Sequence, residues 1–124
     1  MISTSKIVAF AATKNSVNSR NFYENVLGLK ILSDDMFAIV FDANGTMLRI
    51  QKVHEHNPQQ FTALGWDVED INVEIDELTK KGVSFNRYEG LDQDKRNIWT
   101  APGGAKIAWF SDPDGNTLSL TQFH

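Results

Sequence analysis

The segment His54-Glu55-His56 is the one cluster in this 124-residue chain whose residue types are typical of metal binding. In an extended segment, residues at i and i+2 share one side, so both imidazoles could reach one ion, with His124 as a distant third ligand. The same imidazoles could act as a general base in a reaction without metal. Neither a third ligand nor a nucleophile stands at a recognisable spacing. Because Pro58 and further polar residues follow, we interpret the segment as a solvated connector.

Arg49 is the most informative single polar residue, because it lies in an alternating, strand-like segment over residues 46–51. Its planar guanidinium can clamp an anion or a carbonyl oxygen inside a cavity. The alternative is a salt bridge to an acidic group at the rim, with the aliphatic stem packed on Met47. An inward-facing arginine is costly without a pairing group. The sequence leaves both interpretations open.

Trp99 also has two interpretations. It follows a polar loop over residues 89–97, and its ring either edges a cavity, where a planar ligand could stack, or packs beneath that loop. We interpret the charged residues of the loop as a solvated surface; these are Asp92, Asp94, Lys95 and Arg96.

Composition excludes several classes of function. A net charge of −4 and a pI near 5.2 argue against a nucleic-acid or anionic-membrane partner. No apolar run reaches the length of a membrane span, and the first residues lack the apolar segment of a signal peptide. The absence of cysteine excludes disulfides, thiolate metal sites and cysteine nucleophiles. We expect a single cytoplasmic domain, since the chain can bury one core but not two independent ones.

Two turn-plus-strand segments indicate a duplicated module. Asp112-Pro113-Asp114-Gly115 is a tight-turn signature, and Asp42-Ala43-Asn44-Gly45 is a weaker copy of it. An alternating strand follows each turn, with Leu118 and Leu120 on the apolar face of the second. Each copy is predicted to have the order β-α-β-β-β.

The predicted boundaries place one module at about residues 6–51, a connector at 52–60 and a second module at about 61–122. Asn15 or Ser16 caps the first helix and Asp70 the second, and glycines end both. The predicted strands are residues 6–12, 30–33, 37–41 and 46–51, then 61–67, 83–88, an interrupted strand at 98–101 and 106–110, and the final strand after Gly115; the predicted helices are 16–27 and a segment from Asp70 to Gly82.

Each module should bury one sheet face under its helix and leave the other free. The faces expected under the helices are the more aliphatic ones: Ile7, Phe37, Ile39, Phe41, Leu48, Ile50, Ile107, Leu118 and Leu120, together with Trp66 and Trp109. If both four-residue turns are tight, Ala38 lies opposite Arg49 and Ala108 opposite Ser119. The free faces then carry Val8, Phe10, Val40, Met47, Arg49, Gln51, Phe61, Ala63, Phe110, Thr117, Ser119 and Thr121, a mixed surface that suits an amphipathic small molecule.

Three motifs carry a resemblance to a known family: the segment from Asn21 to Leu29, NFYENVLGL, then Ala63-Leu64-Gly65, and Asp112-Pro113-Asp114-Gly115-Asn116. With these motifs and the repeated module, the chain resembles the vicinal oxygen chelate superfamily. That superfamily includes glyoxalase I, extradiol dioxygenases, and the fosfomycin and bleomycin resistance proteins. The resemblance implies an α+β fold with two tandem β-α-β-β-β modules that form a curved mixed sheet around a cup-shaped cavity.

The resemblance also implies where a metal would bind. Metal enzymes of this superfamily place ligands, usually His or Gln, Glu, His and Glu, on the first, fourth, fifth and eighth strands. The matching positions here are Val8, Arg49, Phe61 and Ser119, and a slip of one residue offers only Thr62 or Ile50. None of these is expected to hold a divalent cation, so the resemblance implies no metal and no cofactor at this site.

The predicted function is therefore metal-free binding of a small molecule by a homodimer, similar to bleomycin resistance proteins, which sequester a drug without transforming it. An aromatic, anionic or carbonyl-bearing ligand fits Arg49 better than a basic drug does. The predicted ligand-binding residues are Phe10, Met47, Arg49, Gln51, Phe61, Trp99, Phe110, Ser119 and Thr121.

Two alternatives remain open. One is a glyoxalase-type lyase or isomerase, or a dioxygenase-related enzyme, whose atypical site takes His54 or His56 or draws ligands from a partner chain. The other is a dimeric structural unit whose cavity is filled by its own side chains.

Overall fold

Two four-stranded mixed sheets make up the fold, one in each half of the chain. The computed structural model describes residues 1–124 and divides into two compact units, Met1–Asn57 and Pro58–His124. No helix in either unit has both the length and the apolar composition needed to span a bilayer.

The first unit contains a short 3-10 turn, one helix and four strands. The strands are β1 (Val8–Thr13), β2 (Lys30–Asp34), β3 (Ala38–Ala43) and β4 (Thr46–Lys52), and the helix is α1 (Ser16–Asn21). The sheet order is β1-β4-β3-β2, in which β1 runs parallel to β4 and the other pairs are antiparallel. All four predicted strands are present. Their observed bounds differ from the predicted ones by one or two residues at either end.

The helix α1 ends in a wide turn instead of continuing to residue 27. Asn15 caps its start by accepting the Asn18 N–H at 3.2 Å, as the sequence predicts. Residues Phe22–Val26 form a π-helical turn, in which the Leu27 N–H donates to the Phe22 carbonyl at 2.9 Å. The wider turn buries both Phe22 and Tyr23, whose rings meet edge to face at 5.3 Å.

The second unit repeats the sheet order, with a shorter edge strand and a longer helix. Its strands are β5 (Thr62–Asp67), β6 (Trp99–Thr100), β7 (Lys106–Ser111) and β8 (Thr117–Gln122), and its helix is α2 (Ile71–Lys80). The order is β5-β8-β7-β6, again with one parallel pair, β5 and β8. Asp70 caps α2 by accepting the N–H groups of Asn72 and Val73, and the helix buries Ile71, Ile75 and Leu78 at helical spacing.

The predicted strand at residues 83–88 is wrong, because side chains take up the backbone groups that a strand would use. The Gln93 carboxamide accepts the Tyr88 N–H and donates to the Asn86 carbonyl, and the Asn97 carboxamide donates to the Phe85 carbonyl. The strand predicted as interrupted is instead two antiparallel strands, β6 and β7. A turn at Ala101, closed by its N–H to the Ala105 carbonyl at 2.8 Å, joins them.

In the first unit the predicted face is buried, and it contains Ile39, Phe41, Leu48 and Ile50. The opposite face is not free along β3, because Val40, which was expected to be free, is 3% exposed and its neighbour Ala38 is buried as well. The β3–β4 turn is shorter than expected, because Ala43 already pairs with Thr46. Arg49 therefore lies opposite Val40 and not opposite Ala38, which leaves its face unchanged because the shift is two residues. Ile7 and Phe37 are wrongly assigned to the core: both lie just outside their strands and are 78% and 71% exposed.

In the second unit the predicted face of β7 is wrong. Asn116 belongs to the turn, which spans residues 112–116 and is closed by the pair Ser111–Thr117. The loop thus has five residues instead of four, and a shift of one residue exchanges the two faces of a strand. Ala108 and Phe110 pack with the buried leucines of β8, while Trp109 lies opposite Ser119 on the free face.

Candidate functional site

Arg49 occupies the centre of the free face of the first sheet. The central row runs from Phe10 on β1 through Arg49 on β4 to Val40 on β3. The neighbouring positions on β4 are Met47 and Gln51, which are the next two residues on the same face. We call the surface formed by Val8, Phe10, Met47, Arg49 and Gln51 the arginine surface.

The apolar members of the arginine surface are open to solvent. Val8 is 41% exposed, Phe10 51% and Met47 40%. Exposed apolar groups that adjoin one another across a sheet are unusual on a surface that binds nothing. The surface therefore combines apolar contact area with one charge.

The rim salt bridge considered for Arg49 is not formed. The nearest polar contact of its guanidinium is the Met47 sulfur, 4.0 Å from Nη1, and no carboxylate lies within 4.0 Å of it. Asp35 feels the charge of Arg49 only weakly. The N–H groups of Phe37 and Ala38 bind the Asp35 carboxylate, and this is the main reason that its pKa is lowered.

Two other cations of the first unit share one carboxylate. Lys52 Nζ lies 2.5 Å and Arg20 Nη1 lies 3.0 Å from the Asp34 oxygens. The hydrogen bond from Lys52, followed by that from Arg20, lowers the pKa of Asp34. Arg49, unlike Lys52 and Arg20, forms no ion pair, so its guanidinium is available to an external anion or carbonyl oxygen.

The face of the second sheet that was expected to be free is aromatic and uncharged at its centre, but Thr117 and Ser119 on it are buried. Its central row runs from Gly65 on β5 through Ser119 on β8 to Trp109 on β7. Trp109 donates its indole N–H to Thr62 Oγ1 at 3.2 Å. We call the surface formed by Thr62, Tyr88, Trp99, Trp109 and Ser119 the tryptophan surface.

Trp109 contacts two other rings of the tryptophan surface. The Tyr88 ring meets the Trp109 ring edge to face at 5.6 Å, and the Trp99 ring lies 6.2 Å from Trp109 with a tilt of 34°. Sequence reasoning placed Trp109 in the core and so missed this cluster. The signal that could have found it is Asn116, because an asparagine directly after Asp-Pro-Asp-Gly can bond back to Asp112 and lengthen the turn.

Trp99 borders a cavity of about 270 Å³ whose lining residues are Asp92, Gln93, Asp94, Ile98, Trp99 and Thr100. Asp92, Asp94 and Lys95 of the loop around it are exposed, as expected, whereas Arg96 is half-buried. Arg96 donates to Asn72 at 2.8 Å and also pairs with Asp76, which ties the loop to α2. Gln93 is only 5% exposed and bonds three backbone groups.

The predicted binding residues fall into two groups and two isolated residues. Phe10, Met47, Arg49 and Gln51 share the arginine surface of the first unit. Trp99, Ser119 and Thr121 share the free face of the second sheet. Phe61 precedes β5, outside the ladder, and is 69% exposed. Phe110 lies in the core, with no exposure and its ring 5.5 Å from that of Phe85, so we omit it from the candidate surface.

The residues at the metal-ligand positions implied by the resemblance do not fit a divalent cation. Ala63 forms a bulge in β5, so Thr62 and not Phe61 pairs with Thr117. The four positions are then Val8 and Arg49 in the first unit and Thr62 and Ser119 in the second, which offer no imidazole or carboxylate. His54 is exposed and His56 half-buried in the connector, and no three His, Asp or Glu side chains are placed to hold a metal.

Three solved structures with the same fold are a bleomycin resistance determinant and two proteins named for the glyoxalase family or superfamily. A bleomycin resistance determinant encoded on the transposon Tn5 matches with a TM-score of 0.75 at 19% identity, over 96% of this chain and 98% of that one. A member of the glyoxalase/bleomycin resistance protein/dioxygenase superfamily from Sphaerobacter thermophilus has a TM-score of 0.71 at 23% identity, over 95% and 98%. A glyoxalase family protein from Enterococcus faecalis has a TM-score of 0.70 at 22% identity, over 98% and 100%.

The sequence itself matches a family profile across most of its length. The profile describes the Glyoxalase/Bleomycin resistance protein/Dioxygenase superfamily, and residues 8–120 match it. This range runs from the first residue of β1 to Leu120 in β8, so it includes both sheets and both helices. The chain therefore belongs to the glyoxalase/bleomycin resistance protein/dioxygenase superfamily.

Proposed function

We propose that this protein binds and sequesters a small aromatic molecule that carries an anionic or carbonyl oxygen, without metal and without transforming it. The observation that carries the proposal is the Arg49 guanidinium, which has no salt bridge and is surrounded by the exposed side chains of Val8, Phe10 and Met47. Such a surface offers one directional charge and a larger apolar contact area, which is the usual composition of a small-molecule site.

The energetics favour an anion or carbonyl over a cation. A hydrogen bond to a charged group contributes about 1.5–3 kcal/mol, and a bidentate guanidinium also fixes the orientation of a carboxylate. An aromatic ring on the ligand would cover Phe10 and Met47, which gains from the burial of apolar area. A cationic ligand would instead be repelled by Arg49.

The fold is shared with the Tn5 bleomycin resistance determinant and also with a glyoxalase family protein, so the choice between binding and catalysis depends on the residues of this chain. The four ligand positions support binding, because Val8, Arg49, Thr62 and Ser119 supply no metal ligands.

The test is calorimetric titration with benzoate, with uncharged benzyl alcohol as the comparison ligand. We expect Arg49→Met to weaken benzoate binding by about ten-fold or more, because it removes the charge-assisted bonds. Lys6→Met is the matched control, because Lys6 is exposed and its loss also removes one positive charge. Equal benzoate affinity in Arg49→Met and the native protein would refute the proposal, and so would conversion of a bound ligand at a rate proportional to protein concentration.

We also propose that the protein is a cytoplasmic homodimer. Large exposed apolar side chains on the first unit support a dimer. Ile7, Met36 and Phe37 are each more than 70% exposed. The lack of cysteine fits a reducing compartment. Light scattering at two protein concentrations measures the mass, and a 14.0 kDa particle at both would contradict the dimer.

A further inference from the structure

We propose that Met47 is an oxidation site for peroxides, and that its sulfoxide binds the Arg49 guanidinium and so restricts the arginine surface for anionic ligands. This regulation rests on the proposed function above, because it acts on the same surface. The contact between the sulfoxide and Arg49 can nevertheless be measured without any ligand. The basis of the proposal is the exposure of Met47, its contact with Arg49, and the chemistry of its two strand partners.

Met47 is within reach of a dissolved oxidant. Its side chain is 40% exposed, and its partner on β1 is Val8, which is exposed to the same extent. Exposure is one of the two properties that make a sulfur side chain susceptible to oxidation, and a methionine thioether is converted to the sulfoxide. The arginine surface therefore presents an oxidisable sulfur at the place proposed for the ligand.

The reaction transfers one oxygen atom. The Met47 sulfur attacks one oxygen of the peroxide, so that the S–O bond forms as the O–O bond breaks. The departing oxygen takes up the proton of the transferred oxygen and leaves as water from hydrogen peroxide, or as an alcohol from an organic peroxide. The thioether is oxidised and the peroxide is reduced, and the product is a polar side chain with an acceptor oxygen.

Arg49 is placed to bind that oxygen. Its Nη1 already lies 4.0 Å from the Met47 sulfur, and the two residues are neighbours on one face of β4. An oxygen that extends from the sulfur toward Nη1 shortens this separation to an ordinary N–H···O distance. Because Arg49 forms no salt bridge, the new bond does not have to displace a carboxylate.

The strand partners of Met47 offer no competing donor. Val8 of β1 is apolar, and Asp42 of β3 is a carboxylate whose Oδ1 accepts the Gly45 N–H at 2.7 Å. A carboxylate repels the negative end of the sulfoxide dipole, whereas a guanidinium attracts it. The sulfoxide oxygen is therefore directed toward Arg49.

Oxidation weakens anion binding in two ways. The sulfoxide occupies Nη1 of Arg49, which removes the end-on pair of N–H groups and with it one bidentate geometry for a carboxylate. The new oxygen also replaces part of the apolar contact that Met47 would make with the ring of the ligand. Because the charge of Arg49 remains, we expect benzoate affinity to fall by about three- to ten-fold and not to vanish.

The experiment treats the protein with hydrogen peroxide and locates the sulfoxides by peptide mass spectrometry. The Arg49 Nε–H signal in the NMR spectrum, assigned by its loss in Arg49→Met, reports the contact, and calorimetric titration reports the benzoate affinity. Met47→Leu removes the sulfur and keeps an apolar side chain. Met36→Leu is the matched control, because Met36 is 78% exposed and lies between β2 and β3, outside the arginine surface.

We expect peroxide to shift the Arg49 signal in the native protein and in Met36→Leu, and to leave it in place in Met47→Leu. Peroxide should lower benzoate affinity by about three- to ten-fold in the same two proteins and should not change it in Met47→Leu. Methionine sulfoxide reductases for both sulfoxide epimers should restore the signal and the affinity. If Met47→Leu does not fold, this reversal in Met36→Leu decides the result.

The outcomes separate this inference from the proposed function. The inference is wrong if Met47 stays a thioether while Met36 is fully oxidised, or if the Arg49 signal and the benzoate affinity do not change when Met47 is oxidised. Benzoate binding through Arg49 would still support the proposed function in either case. An equal effect of peroxide on Met47→Leu and the native protein would also refute the inference, because another oxidised residue is then the cause. If benzoate fails to bind the untreated protein, the proposed function is wrong, whereas a peroxide-dependent Arg49 shift that Met47→Leu abolishes still confirms the sulfoxide contact.

Discussion

Gly65 and Ser119 show how much a single residue determines on the free face of the second sheet. The two residues are direct partners in the parallel pair of β5 and β8, and only the absence of a side chain at Gly65 permits their approach. Arg49 shows the opposite case in the first sheet. There a long side chain lies between Phe10 and Val40, and its stem is supported on both sides.

We predict that Gly65→Ala destabilises the protein by about 1–3 kcal/mol, because the added methyl group would contact Ser119 Oγ at 2.8 Å. The measurement is the urea midpoint of unfolding. The double variant Gly65→Ala with Ser119→Ala should recover most of the loss, since the clashing oxygen is then gone. If the alanine costs as much in the Ser119→Ala background, the clash with this oxygen is not the cause.

At the scale of the element, the loop between α2 and β6 is a folded structure held by side chains. Arg87 donates to the carbonyls of Asp94 and Gln93 and to the Asn97 side chain, while Asp94 accepts the N–H groups of Arg96 and Ile98. These bonds replace the strand pairing that the segment lacks. The sequence did not predict this folded loop, because the residues whose side chains form these bonds, Arg87, Asp94 and Asn97, are polar and typical of a solvated loop.

We predict that Gln93→Ala destabilises the protein by about 2–4 kcal/mol, since it leaves the Tyr88 N–H and the carbonyls of Asn86 and Asn97 without their partner. Urea unfolding measures the loss, and Gln60→Ala, at an exposed position of the connector, is the control. We also expect Trp109 fluorescence to change in the folded Gln93→Ala variant. A stability equal to that of Gln60→Ala would show that the carboxamide does not hold the loop.

The elements themselves were largely predictable, whereas the faces of the paired strands after each turn were predicted correctly only in the first unit. Alternation located β3, β4, β7 and β8, and the cap at Asp70 located α2. Arg49 was placed on the correct face because its turn differed from the assumption by two residues. Trp109 and Phe110 were exchanged because the other turn differed by one, and the alternation of the strand alone does not show that Asn116, which bonds back to Asp112, belongs to the turn.

At the scale of the whole molecule, the two sheets have one strand order but different chemistry on their free faces. The middle row carries Arg49 in one sheet and Ser119 in the other. The family match covers both units, and its fold does not depend on either residue. Membership could thus be predicted from the sequence, but the composition of each surface required the register.

We predict that the free energy of unfolding decreases as the pH falls below about 4. The pKa values of Asp34 and Asp35 are lowered in the folded state, by the Lys52 hydrogen bond and by the N–H of Phe37 respectively. Their contribution is fully present above the unfolded value near 3.8 and is lost as the pH falls through the lowered folded values.

The measurement of this acid effect is the urea midpoint between pH 7 and pH 3, in the native protein and in Asp34→Asn. The variant should lose less stability over this range than the native protein, because one of the two titrating groups is gone. Part of the Asp34 effect should disappear in high salt, since its ion pairs are largely exposed. Parallel pH curves for the two proteins would contradict the assignment to Asp34.

The five-residue turn before β8 has a consequence for how such a protein can change over generations. Inserting or deleting one codon there would exchange the buried and the outward-facing residues of β7 in a single event, with no substitution in the strand. The exchange is tolerable only if both sets can be buried, and the pairs Ala108 with Phe110 and Ile107 with Trp109 are both apolar enough. A duplicated gene could in this way give its two halves different ligands while each half keeps a filled interior.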